Sequence, residues 1–247
     1  MKYCFSILSA VFLCAGSLLA SDITANFSAA NQLYAEGKFS EAAKSYEAIL
    51  RSGAVSPNLL FNQGNAEFKS GNLGSAIAAY RHAALLAPRD TDIRANLEFA
   101  RNQVQGPTVR ATRWQSMLGS LTLNEWTALA AIAFWLALAL FATMQLRPAS
   151  KNALRGPARA TAIVALFFCA CLGAAVNVHS SKPVAVVISP DAVARSGPFN
   201  DALNAFVVHD GAELPVLDRR DGWVQVSDGA TRTGWIQDGQ VNVLPAI

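Results

Sequence analysis

Charge is scarce in this sequence. Only 15% of its 247 residues are Asp, Glu, Lys or Arg, where a soluble domain ordinarily carries about a quarter. With 52% hydrophobic residues and a mean hydropathy of +0.27, a disordered polyelectrolyte or a nucleic-acid-wrapping tail is excluded. Histidine is rarer still, with three in the chain. His209 has no second His, Cys or paired carboxylate at ligand spacing, and neither His82 nor His179 has an evident catalytic partner. The four cysteines, Cys4, Cys14, Cys169 and Cys171, all fall in apolar windows. The polar regions therefore lack a disulfide framework, and Cys169-x-Cys171 reads better as small apolar side chains than as metal ligands. A Gly-rich phosphate loop, a nucleophile elbow and a metal signature are all missing. The expectation is a protein that is not an enzyme, with no catalytic residue, no bound metal and no cofactor.

The apolar excess is concentrated. Three windows carry no charge: Tyr3–Ser21, Trp126–Leu146 and Ala160–Ser181. The first follows Lys2 and ends with Ala20 before Ser21-Asp22. That is the pattern of a secretory signal peptide over 1–20, either cleaved after Ala20 or, because Leu18 is bulky for a cleavage site, retained as an anchor. The other two windows are long enough to cross a hydrocarbon core of about 30 Å as helices over 126–146 and 160–179. Between them, the loop 147–159 carries Arg147, Lys151, Arg155 and Arg159 and no acid. Short loops rich in Lys and Arg stay cytoplasmic. Both flanking regions then lie outside the cytoplasm, on the side to which a signal peptide would deliver the first. The net charge of +3 thus reflects membrane orientation and gives no reason to expect a nucleic-acid partner.

The first exported region repeats. A shift of 34 residues superposes Phe27 on Phe61, Asn31 on Asn65, Gly37 on Gly71, Ala42 on Ala76 and Tyr46 on Tyr80. Ala30/Gly64, Tyr34/Phe68 and Phe39/Leu73 are similar in kind. Small residues at 30, 64, 42 and 76 let paired helices approach, and Gly37 and Gly71 end the first helix of each pair in a left-handed conformation. Tyr46 and Tyr80 fill the space between helices, and Pro88 ends the last one. This pattern resembles the tetratricopeptide (TPR) repeat, with repeats at 23–56 and 57–90 inside a domain over 21–105. Repeat one has Ala54 where the family Pro stands, and Glu67 replaces an aromatic. Asp90–Gln103 reads as a capping helix with Ile93, Leu97 and Ala100 on one face and Asp90 or Thr91 as N-cap. The resemblance implies a peptide-binding concave face of Phe27, Asn31, Tyr34, Phe61, Asn65, Phe68 and Lys69. Asn at the matching position of both repeats can hydrogen-bond a peptide backbone. Phe27 and Phe61 read equally well as core, and the two Asn as solvated positions.

Residues 106–125 read as a linker. From Val184 onward, short apolar runs alternate with Gly, Asp and Pro clusters, which predicts a small all-β domain. Asp210–Leu217, Asp221–Val226 with a tight turn at Asp221-Gly222, and Gly234-Trp235-Ile236 resemble a bacterial SH3-like barrel over 182–247. Trp223 and Trp235 are candidate partner-binding aromatics, with a structural role for Trp235 as the alternative. The fold class is a multi-domain membrane protein: an all-α TPR solenoid, two transmembrane helices and a C-terminal all-β barrel. As a whole the chain resembles the BatE-type TPR proteins of the Bacteroides aerotolerance operon. Asn96–Arg101, Val187-Ile188-Ser189-Pro190 and Arg195-Ser196-Gly197-Pro198 carry that likeness. It implies an inner-membrane scaffold with both modules periplasmic. Its partners would be von Willebrand A-domain membrane proteins and a MoxR-type AAA ATPase, in envelope or oxidative-stress tolerance. A cell-wall sensor that binds peptidoglycan through the barrel is the alternative.

Overall fold

The structure is a computed structural model and describes residues 23–179 and 182–245. The expected signal segment lies outside the described residues. The chain divides into two compact units. One joins the described residues up to Thr108 with Ala185–Leu244, and the other is Val109–Val184.

The first unit begins with five helices: α1 (23–35), α2 (Phe39–Arg51), α3 (Pro57–Lys69), α4 (Leu73–Leu86) and α5 (Thr91–Arg101). The α1–α2 and α3–α4 pairs turn at the expected glycines, Gly37 (φ 78°) and Gly71 (φ 86°). At the first turn the Lys38 and Gly37 N–H groups donate to the Leu33 and Tyr34 carbonyls. These are the two bonds of a left-handed C-cap, whose backbone glycine adopts without a Cβ clash. Small residues do what the repeat predicts. A Cβ at Gly64 would sit 2.6 Å from the Tyr80 ring, and Ala30, Ala42 and Ala76 are fully buried. Asp90 caps α5, its carboxylate accepting from the Asp92 and Ile93 N–H groups.

The same unit contains seven strands: β1 (Val184–Val187), β2 (Asp191–Arg195), β3 (Asn204–His209), β4 (Glu213–Arg220), β5 (Trp223–Ser227), β6 (Thr233–Gln237) and β7 (Val241–Leu244). They form one antiparallel sheet in the order β3-β2-β6-β5-β4-β1-β7, with β3 and β7 at its edges. Asp221 (φ 48°) and Gly222 (φ 79°) make the two-residue turn between β4 and β5, both left-handed, which suits the twist of a tight hairpin. Leu214, Val216, Val224 and Val226 are buried and lie in the core cluster of the sheet.

Helices and sheet are joined by a core that sequence periodicity does not reveal. Val186 of β1 and Leu244 of β7 pack with Ile77, Tyr80, Ala84, Ile93 and Leu97. At its centre the Glu213 carboxylate is 0% exposed. Arg101 grips it side-on, Nη2 to Oε1 at 2.8 Å and Nε to Oε2 at 3.1 Å, while Arg81 Nη1 donates to Oε1 at 3.0 Å. Burial lowers the Arg81 pKa, opposed by the Glu213 charge. Two more contacts fix the junction. Asn72 makes no side-chain cap for α4; instead Asp210 Oδ1 accepts from the Gly74 N–H at 3.0 Å. A Cβ at Gly74 would overlap the Val187 carbonyl oxygen. The expected linker is partly built in as well, since the Glu213 N–H donates to the Pro107 carbonyl at 2.9 Å.

The second unit holds α6 (Arg113–Leu118), α7 (Leu123–Leu146) and α8 (Lys151–His179). Both α7 and the segment Pro148–Val178 are long and apolar enough to cross a membrane. They differ from expectation at the basic segment. In place of a loop over 147–159, a short turn at Pro148–Ser150 leads directly into α8, which runs through Pro157. Pro157 is the seventh residue of α8, past the first turn, so it gives up the bond an N–H there would donate to the Ala153 carbonyl, a cost offset by the Ala, Leu and Arg around it, which favour helix. At about 1.5 Å per residue, the 29 residues of α8 span about 43 Å. That exceeds a hydrocarbon core of about 30 Å, so the basic first turns can extend past it. The two long helices meet through Trp126, Ala130 and Ala133 on α7 and Ala165, Cys171 and Ala175 on α8, small side chains that allow close approach. The expected linker 106–125 also contains α6.

Glu213→Gln is expected to destabilise the first unit by about 3–5 kcal/mol, because it leaves buried guanidinium charge uncompensated. Replacing the cluster as a whole (Arg81→Met, Glu213→Leu, Arg101→Met) should recover most of that loss, both read by denaturant unfolding of the full-length protein. A pH effect comes from half-buried His82, whose pKa burial holds below its ordinary 6.5. The folded state favours the neutral ring, so this stabilisation is present above pH 6.5 and is lost as pH falls through the lowered value. His82→Gln should flatten that part of the stability–pH curve.

Candidate functional site

The predicted concave-face residues divide into a linked polar set and a set of aromatics engaged in the fold. Asn31 and Asn65 behave identically, one repeat apart. Asn31 Oδ1 accepts from the Tyr46 hydroxyl at 2.7 Å and from Asn62 Nδ2 at 3.1 Å. Asn65 Oδ1 accepts from the Tyr80 hydroxyl at 2.7 Å and from Asn96 Nδ2 at 2.9 Å. Each Asn thus ties its own hairpin to the first helix of the next one, α1 to α3 and α3 to α5. Burial pushes the pKa of both tyrosines up, which keeps each hydroxyl protonated as the donor this arrangement needs. The acceptor oxygens are used internally, while the donor Nδ2 groups of Asn31 and Asn65 are not bonded within the described residues.

Phe27 and Phe61 are partly buried and tilt against Tyr46 and Tyr80 at ring-centroid distances of 5.9 and 6.0 Å. They sit at the seams of the hairpins, so the core alternative describes them best. Tyr34 stacks edge-on with Phe39 at 5.1 Å across the turn. Phe68 meets Phe99 of α5 at 5.6 Å, and Phe99 is itself exposed. Lys69 is exposed at the end of α3. Phe68, Lys69 and the Asn31 and Asn65 amides keep open surface, and Phe99 of α5 adds an exposed ring beside Phe68.

Asn62, Asn96 and Phe99 were missed by sequence reasoning. The signal for the first two was present, because Asn62 and Asn96 are also 34 residues apart. Treating α5 as a cap outside the repeat concealed it. Trp223 and Trp235 do not join this set. They are 9% and 7% exposed, alternate along their strands with the core residues Val224 and Ile236, and Arg220 lies over the Trp235 ring at 5.9 Å, so they offer little ring surface. His209 pairs with Asp191 at 2.6 Å. Among the described residues no three His, Cys, Asp or Glu side chains gather as metal ligands.

No protein-family model matches the chain, and no curated protein matches it. The surface can therefore be interpreted only from its own chemistry. It offers amide donors, an exposed aromatic and a cation, a combination suited to carbonyls, apolar side chains and carboxylates of an extended segment.

Asn65→Ala should cost about 1–3 kcal/mol of stability, since it leaves both Tyr80 and Asn96 donors without their acceptor. Lys69→Ala should stay within about 0.5 kcal/mol. Thermal or denaturant unfolding distinguishes the two.

Proposed function

We propose that this protein is a non-catalytic membrane scaffold of the BatE type, in which a TPR-like helical array and an SH3-like sheet form one head carried on a transmembrane hairpin. The observation that carries this reading is the Arg81–Glu213–Arg101 cluster. It joins two chain segments that lie on either side of α7 and α8 in sequence. A buried cluster cannot form across a bilayer, so both segments occupy one face of the membrane, and an even number of crossings must separate them. Two helices of spanning length and apolarity supply that number. The basic residues Arg147, Lys151, Arg155 and Arg159 support a reading with the hairpin turn in the cytoplasm and the head in the periplasm, at the inner membrane.

The head binds protein segments through the open part of the helical array, with the Asn31 and Asn65 amides donating to backbone carbonyls and Lys69 meeting acidic side chains. By family likeness the partners are von Willebrand A-domain membrane proteins, working with a MoxR-type AAA ATPase in envelope or oxidative-stress tolerance. Burial of Trp223 and Trp235 favours this reading over peptidoglycan binding through the sheet.

Single cysteines at Ser28, Asp201 and Lys151, with the native cysteines replaced, test the topology. An impermeant maleimide is expected to label positions 28 and 201 from the same side and 151 from the other; labelling of 28 and 201 from opposite sides would refute it. Affinity purification of the tagged full-length protein from membranes tests the role. A von Willebrand A-domain membrane protein is expected, with recovery reduced roughly tenfold, or about 1.4 kcal/mol, by Lys69→Glu. Absence of any membrane partner would count against the scaffold, and retention of the protein on purified sacculi would favour the cell-wall reading.

A further inference from the structure

The segment 106–124 contains no Asp or Glu, but it carries Arg110 and Arg113. Within it, α6 is a short amphipathic helix whose position is fixed from both ends. Thr112 and Gln115 form a reciprocal capping box at its start. Four residues after it, Thr122 and Glu125 form a second one at the start of α7. The corner between them is tied by Trp126, whose indole Nε1 donates to the Leu118 carbonyl at 3.0 Å. Leu118 itself is buried against Trp126, Cys171, Ala175 and Val178. The helix is thus folded across the end of the α7–α8 pair instead of extending α7.

That placement covers only part of its apolar side. Trp114 and Met117, three residues apart and so on one face, remain 61% and 65% exposed. Arg113 is exposed beside them. An exposed Trp and Met on a helix this firmly held need a covering surface. Exposed apolar side chains, Phe134, Trp135, Ile163 and Leu166 among them, run along the two helices on whose end α6 packs. The chemistry of the uncovered face, an aromatic and a thioether beside guanidinium, is that of side chains seated at the boundary between acyl chains and phosphate headgroups.

We infer that α6 is an interfacial helix that docks on the lipid surface, with Trp114 and Met117 entering the headgroup–acyl boundary and Arg113 facing lipid phosphate. This rests on the reading that α7 and α8 span the bilayer. The occupant is lipid because α6 packs on the end of two helices of spanning length and apolarity and the whole segment is free of acid.

The test uses the full-length protein in liposomes of phosphatidylglycerol and phosphatidylethanolamine, with the native cysteines replaced and a nitroxide attached at Met117→Cys, Phe134→Cys or Ser28→Cys. Collision with oxygen reports lipid depth, and collision with a water-soluble nickel complex reports aqueous exposure. The label at 117 is expected several-fold above that at 28 for oxygen and several-fold below it for nickel, at a depth shallower than 134. A deep label at 134 with an aqueous label at 117, or one at 117 shielded from both reagents by protein, would overturn the proposal and leave the hairpin intact. A label at 134 outside the hydrocarbon would overturn both. Trp114→Ala carrying the 117 label is a second check, expected to shift it toward the aqueous values.

Discussion

One carboxylate between two guanidiniums determines how the first unit is organised. Glu213 is enclosed by Arg81 from α4 and Arg101 from α5, and no part of it reaches solvent. A buried ion cluster is a weak source of net stability because desolvation offsets most of the attraction. Its contribution here is registry. Only one placement of β4 against α4 and α5 delivers the carboxylate to both arginines, and the neighbouring contacts repeat that choice. Asp210, three residues earlier, reaches the open N-terminus of α4, and Gly74 removes the side chain that would collide with β1. A slip of one residue along β4 would turn Glu213 to the other face of the strand and bury two unmatched cations.

The helical array solves a different problem with a repeated device. Two asparagines at the same repeat position each accept from a tyrosine inside their hairpin and from an asparagine on the next. Neighbouring hairpins are therefore linked by directional bonds as well as by apolar contact. Because the linking atoms are the acceptors, the surface left over is donor-rich. The same residues hold the array together and set the chemistry it presents.

Much of this was legible in the sequence. The 34-residue repeat located both hairpins and their glycine ends, and capping chemistry narrowed the start of α5 to Asp90 or Thr91. Alternation and Asp221-Gly222 located the β4–β5 hairpin, and charge-free windows located the long helices. What was not legible depends on contacts far apart in the chain. Glu213 sits in a strand where alternation says only inward or outward, and nothing local says that inward leads to arginines more than a hundred residues away. Arg81 looks like one polar residue in an alanine-rich helix. The tryptophans of the sheet were candidates by residue type, but their exposure is a property of the assembled sheet.

The discontinuity of the first unit has a consequence for biogenesis. The ribosome makes α1–α5 first, then α7 and α8, and only afterwards the strand bearing Glu213. Until that strand emerges, Arg81 and Arg101 lack their shared carboxylate and α4 lacks its Asp210 cap. In the topology proposed above, the early helices wait, incompletely sealed, until the chain has crossed the membrane and returned. In that topology completion of the head follows insertion of the hairpin, and a chain stalled before the Glu213 strand returns leaves an unfinished helical array open to proteolysis.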